Sequence, residues 1–253
     1  MSVRRALESL VCTLVEPPCA ACRGLNSQPL TSAVCAECWQ RVLRFAPHEQ
    51  RATTVPPPLE TLLSVGPHRG TLRQLVRCLK YDRRRSVAAP LAACMAVVGH
   101  ELLAHADVVV PVPSHWWRRF RRGFNQADDL ARHLDAPWAR LLRRPGARTP
   151  QVQLRGDARR QNVRGAFALD AAACHRWRRA RHPAASRHDR LLDGVRVVLV
   201  DDVATTGATL SACAEVLRAA GAVSVSALTA ARADRQLRPA PPPTPHRAPA
   251  VRR

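Results

Sequence analysis

The sequence predicts an α/β fold: a parallel twisted sheet flanked by helices, with a small four-cysteine module at the amino end. Three observations predict it. Apolar runs of strand length at 108–112, 195–200 and 223–228 alternate with segments of helical spacing. The run VVLVDDVATTGATL at 197–210 passes from a buried-strand pattern, through two carboxylates and a hydroxylated turn, into a helix ended by Gly221. Cys19, Cys22, Cys35 and Cys38 form two C-x2-C pairs separated by twelve residues.

The elements follow in chain order. Residues 5–15 read as a short amphipathic helix, interrupted by Glu8 and so unlike a signal peptide. Each C-x2-C pair can place two thiolates on one knuckle, and two knuckles complete a tetrahedral Zn²⁺ site with no open position, hence structural. The alternatives are four buried free thiols or a redox pair. This module spans residues 1–45, and Pro47, Pro56, Pro57 and Pro58 mark 46–58 as a linker. The larger domain is expected at 59–237. It opens with a strand containing Leu62, Leu63 and Val65, a turn at 66–70, a helix at 72–80 and a longer apolar helix at 87–103. A second strand at 108–112 leads into the basic aromatic segment SHWWRRFRRGF at 114–124, followed by a helix at 125–134. Leu141 and Leu142 suggest a short edge strand. Residues 149–167 are polar without an apolar stripe. The Arg- and His-rich stretch 171–190 reads as an exposed insertion, and the Pro- and Arg-rich tail 238–253 as disordered.

Composition narrows the function classes. Lys+Arg is 40 against Asp+Glu 19, a formal charge of +21, which favours phosphorylated partners and nucleic acid. Lys80 is the sole lysine. It either reaches a phosphate or lies on a solvated face. No apolar run approaches the roughly 18 residues of a membrane span. Four of the nine cysteines have metal spacing and five are scattered, which points to a reducing cytoplasm rather than to a disulfide framework.

The 197–210 run is suited to a ribose phosphate. Ligands of open parallel sheets bind beyond the carboxyl ends of the strands. A loop at a helix start can turn backbone N–H groups and the hydroxyls of Thr205, Thr206 and Thr209 toward one phosphate. Adjacent carboxylates can accept hydrogen bonds from vicinal sugar hydroxyls. The run closely resembles the phosphoribosyl pyrophosphate (PRPP) motif of type I phosphoribosyltransferases. The resemblance implies that Asp201 and Asp202 hold the ribose hydroxyls. It implies that Val203, Ala204, Thr205, Thr206, Gly207, Ala208 and Thr209 form the PRPP-binding loop, with 205–209 cradling the 5′-phosphate.

The order of motifs widens the resemblance. The cysteine knuckles, LKYDRRR at 79–85, VVVPVPSHWWRRFRRGFNQ at 108–126, TPQVQLRGDARRQNVRGAF at 149–167 and the PRPP motif together resemble the ComF family. Its members join a zinc module to a phosphoribosyltransferase domain and are named for competence in DNA uptake. The resemblance implies a pyrophosphate loop with Ser114, Arg118, Arg119 and Arg122, where guanidinium forks suit phosphate. It implies a flap with Gln151, Arg160 and Asn162, and Mg²⁺ accompanying PRPP. Asn125 and Gln126 are expected to hold loop and helix start together. Residues 228–238 offer no base-recognition segment, so the acceptor is unassigned. Two functions stand: a PRPP-dependent transferase, and a non-enzymatic DNA-uptake or DNA-processing factor retaining the pocket. Single-stranded DNA or a DNA-uptake protein is the expected macromolecular partner.

Overall fold

The computed structural model describes residues 18–24, 33–81, 85–114, 123–145, 165–181 and 190–233. Four strands, β1 (Leu62–Ser64), β2 (Val108–Pro111), β5 (Arg196–Ala204) and β6 (Ser224–Arg232), form an all-parallel sheet in the order β1–β6–β5–β2. Between β2 and β5 in sequence lies a separate antiparallel pair, β3 (Leu142–Arg143) and β4 (Ala168–Leu169). The strand expected around Leu141 therefore belongs to this small ribbon and not to the main sheet.

Helices cover both faces, and strand periodicity decides which side chains meet them. On β5, Val198 and Val200 join one core with α3 (Gly70–Tyr81), α4 (Ala88–Val98) and α6 (Gln126–Arg132). Val197 and Leu199 join the other, beneath α7 (Ala171–Arg181) and α8 (Ala208–Ala219). The central strands read as continuous valine and leucine because both faces are buried. Helix α3 forms because Leu72, Leu75, Val76 and Leu79 make an i, i+3, i+4, i+7 stripe, and all four are fully buried. The apolar stretch expected as one helix at 87–103 breaks at Gly99 into α4 and α5 (His100–Ala104). A Cβ at Gly99 would lie 2.6 Å from Leu228 Cδ2, so the break falls where the helix lies close against the sheet.

Near the amino end, α1 (Ala36–Leu43) and the residues around Cys19 pack on α3. Cys78 Sγ donates to the Ala20 carbonyl at 2.9 Å, and Val34 and Val42 enter the same core. The Pro-rich segment read as a linker is built into the domain. It carries α2 (Pro47–Gln50), pairs Arg51 with Leu63, and donates from Ala52 N to the Leu62 carbonyl at 3.0 Å. The first part of the expected insertion is α7, held by fully buried Cys174 and by Trp177, which packs on the same core. Residues 5–15, 182–189 and 238–253 lie outside the described residues. Among the described residues, no helix is long and apolar enough to cross a membrane.

Candidate functional site

Strand β5 carries Asp201 and Asp202 to its carboxyl end, and the pleat sends them to opposite faces. Asp202 points to the α3 side. It is 7 % exposed, and its Oδ1 lies 2.9 Å from Lys80 Nζ near the end of α3. Asp201 points to the α8 side. Its Oδ1 accepts from Asp202 N at 2.8 Å, and its charge acts on Cys213 of α8. Burial pushes the Cys213 thiol well up, and Asp201 adds to this while Arg144 opposes it, so Cys213 is an inert core thiol. His68 completes the α3 side. Its pKa is held down by burial and by the Lys80 and Arg73 charges, against the pull of Asp202. Thus Lys80 is half-buried and paired: it is the counter-ion of one of the two predicted ribose carboxylates.

After β5 the chain turns at 205–207 and enters α8. Gly207 has φ +73°, a conformation open to glycine at little cost. A Cβ there would lie 2.5 Å from Pro56 Cγ, so the loop rests directly on the Pro-rich segment. Ser211 Oγ donates to the Pro57 carbonyl, a second tie to that segment. Thr206 Oγ1 accepts from Ala208 N at 3.3 Å. The backbone N–H groups of Thr205, Thr206 and Gly207 donate to no partner among the described residues. Unpaired amides at a helix start favour a negative charge, and the dipole of the three-turn α8 adds to this.

The loop walls a cavity of about 280 Å³, closed on its other side by Thr53, Thr54 and Arg232. Arg232 ends β6. One guanidinium nitrogen donates to the Glu49 carbonyl at 3.3 Å, and the other is buried without a partner among the described residues. Sequence reasoning did not assign Arg232, Thr53 or Thr54 to the site. Arg232 is the first cation past the β6 apolar run, and that position was the signal available; in the sheet it lies adjacent in register to Ala204. A larger cavity, about 760 Å³, opens at the amino ends of β5 and β6 beside α5. The loop and both carboxylates lie at the carboxyl end of β5, and ligands of such sheets bind beyond the carboxyl ends of the strands.

At the carboxyl end of β2, Asn125 pins both sides of the basic segment. Its Nδ2 donates to the Val112 carbonyl at 3.1 Å and to Asp128 Oδ1 at 2.9 Å, and Asp128 is also paired with Arg140. Arg85 grips neighbouring Asp129 with two bonds, of 2.8 and 2.7 Å. Ser114 Oγ is buried without a partner among the described residues, where this segment begins. The expected pyrophosphate contacts Arg118, Arg119 and Arg122 lie outside the described residues. So do Gln151, Arg160 and Asn162 of the expected flap, in the connection between β3 and β4.

The four spaced cysteines converge. Their sulfurs lie within 4.8 Å of one another, with Cys22 and Cys35 sulfurs 3.9 Å apart. Ala21 N and Cys35 N donate to Cys19 Sγ at 3.4 and 3.3 Å, as knuckle amides do toward a thiolate. Burial would push the Cys19 thiol up, but the backbone donors of Cys22, Cys35 and Ala21 outweigh it and hold the group at about 6. Burial, then its three neighbours, push Cys38 far up. Four sulfurs this close cannot all be anionic without a shared cation, and the all-sulfur tetrad fits a structural Zn²⁺.

Residues 104–242 match the family model described as phosphoribosyl transferase domain. The chain is 32% identical over 185 residues to the DNA utilization protein YhgH of Escherichia coli (strain K12), covering 69% of this chain and 73% of that protein. It is 28% identical over 222 residues to Competence protein F of Haemophilus influenzae, covering 84% and 90%. Among solved structures, orotate phosphoribosyltransferase from Aeropyrum pernix is 22% identical, covering 63% of this chain and 76% of that one at a TM-score of 0.31. With a four-cysteine cluster ahead of that domain, the chain belongs to the phosphoribosyl transferase domain family, among its ComF-like proteins.

Proposed function

We propose that this protein binds PRPP or a related ribose phosphate at the carboxyl end of β5, and that it serves DNA uptake or DNA processing. One observation carries the ligand assignment: the loop 205–207 presents unspent amides, beside two carboxylates and a cavity whose wall holds a half-satisfied guanidinium. The 5′-phosphate would take the amides and threonine hydroxyls of 205–209, and the ribose hydroxyls would face Asp201 and Asp202. As a transferase, the protein would position C1′ of PRPP for attack by an acceptor nitrogen. The acceptor lone pair forms the new C1′–N bond while pyrophosphate departs with the electrons of the C1′–O bond. Asp201 would lend negative potential to the cationic sugar of that transition state, Asp202 would hold a ribose hydroxyl, and most of the acceleration would come from placement and electrostatics. The resemblance also calls for Mg²⁺. Asp202 is a poor ligand for it here, because Lys80 already neutralises that carboxylate at 2.9 Å.

A second reading, a DNA factor without turnover, draws on the names of the relatives and on the charge of +21. Calorimetry with PRPP, followed by a pyrophosphate-release screen across free bases, separates the two: binding without release supports the second. Asp202→Asn is expected to weaken PRPP about tenfold, near the value of one charge-assisted hydrogen bond, and to lower the melting temperature because Lys80 loses its counter-ion. An unchanged affinity would remove Asp202 from the site.

A further inference from the structure

The single lysine of the chain sits against the one ribose carboxylate that is buried. Lys80 and Asp202 lie 2.9 Å apart, with side chains 22 % and 10 % exposed. Lys80 is placed there by the α3 stripe: Val76 and Leu79 seat the last turn of the helix on the core, and the next residue falls over the end of β5. Arg73 and His68 add to the same corner, where both Lys80 and Arg73 act on the His68 ring. A divalent cation approaching Asp202 would meet a resident ammonium and a nearby guanidinium, and like charges in a half-buried corner repel strongly. We propose that Lys80 is a binding residue of the ribose-phosphate site, supplying at Asp202 the positive charge otherwise provided by a divalent metal, so that ribose-phosphate binding does not require Mg²⁺. The inference rests on the ligand assignment made above.

The ammonium does two things there. It fixes the carboxylate of Asp202 with one oxygen engaged, leaving the other for a sugar hydroxyl. It also offers its remaining N–H donors to ligand oxygens, since an ammonium carries three donors. A lysine charge is compact and can stay on Asp202 while bonding a ligand.

The test is titration calorimetry of the full chain with ribose 5-phosphate, which lacks the pyrophosphate that itself collects Mg²⁺. Each titration is run in EDTA with zinc pre-loaded and zinc content verified, and again in Mg²⁺. The wild type is expected to bind equally well in both media, within about threefold. Lys80→Met is expected to lose at least about tenfold in EDTA and to regain part of it in Mg²⁺, whereas Lys80→Arg stays within about threefold of wild type. The double variant Lys80→Met with Asp202→Asn is compared with Asp202→Asn alone, so that a further loss of affinity in it comes neither from an unpaired buried carboxylate nor from the loss of Asp202. It is expected to bind weakly and to ignore Mg²⁺. Wild-type binding that disappears only in EDTA, or Lys80→Met binding like wild type in EDTA, would overturn the role of Lys80 while leaving the ligand assignment in place. No wild-type binding in either medium would overturn the ligand assignment, and this inference with it.

Discussion

Cys35→Ser is expected to abolish stoichiometric zinc and to unfold the amino-terminal module. Serine offers no thiolate, and three sulfurs leave the tetrahedron open. Binding energy at such a site is folding energy, because the ligands are scattered in the unfolded chain. Among the described residues of the module, the buried apolar ones are Cys19, Ala20, Ala21, Val34, Cys38 and Val42, and they share a core with α3. Exposing Val34 and Val42 and loosening the Cys78–Ala20 bond should cost about 3–4 kcal/mol. For a domain of this size the melting temperature should fall on the order of 10 °C. Metal analysis of the purified variant and a calorimetric melt check this together. A variant retaining one zinc per chain would dismiss the tetrathiolate site.

The second large effect is expected at the turn into α8. Gly207→Ala places a side chain at φ +73°, which costs roughly 1–2 kcal/mol, and drives its Cβ to 2.5 Å from Pro56 Cγ, an overpacking of roughly 1–3 kcal/mol. The loop can relieve both only by moving its amides. The phosphate then meets a displaced cradle, and ribose 5-phosphate affinity should drop about 100-fold, since each 1.4 kcal/mol is a factor of ten. Adding Pro56→Ala should return the overpacking part and leave the backbone part. Wild-type affinity in Gly207→Ala alone would show that the amides of 205–207 hold no phosphate.

The sheet and its flanking helices were legible because their signal is local. Valine runs with both faces buried, and the α3 stripe, follow from periodicity alone. The cysteine tetrad was legible from spacing, since two short knuckles leave few other uses for four thiols. What the sequence concealed was tertiary. Nothing in LKY says that its lysine lies over the end of a strand more than a hundred residues away, because helix phase fixes a face but not what covers it. The proline-rich stretch reads as a spacer by composition, yet its contacts are to Leu62, Gly207 and Ser211, which no local pattern announces. The carboxylate pair was read as one unit from adjacency. The pleat separates it, giving Asp202 to α3 and Asp201 to α8.

Pro56 and Pro57, lying against the first turn of α8, carry a practical lesson for anyone shortening this polypeptide. A piece cut at the compositional boundary near residue 59 keeps every strand of the sheet but discards the rest under Gly207 and the threonines opposite it. A piece cut where the family match begins, at 104, sheds Lys80 as well. Inactivity of either truncation would then speak about missing masonry and not about chemistry.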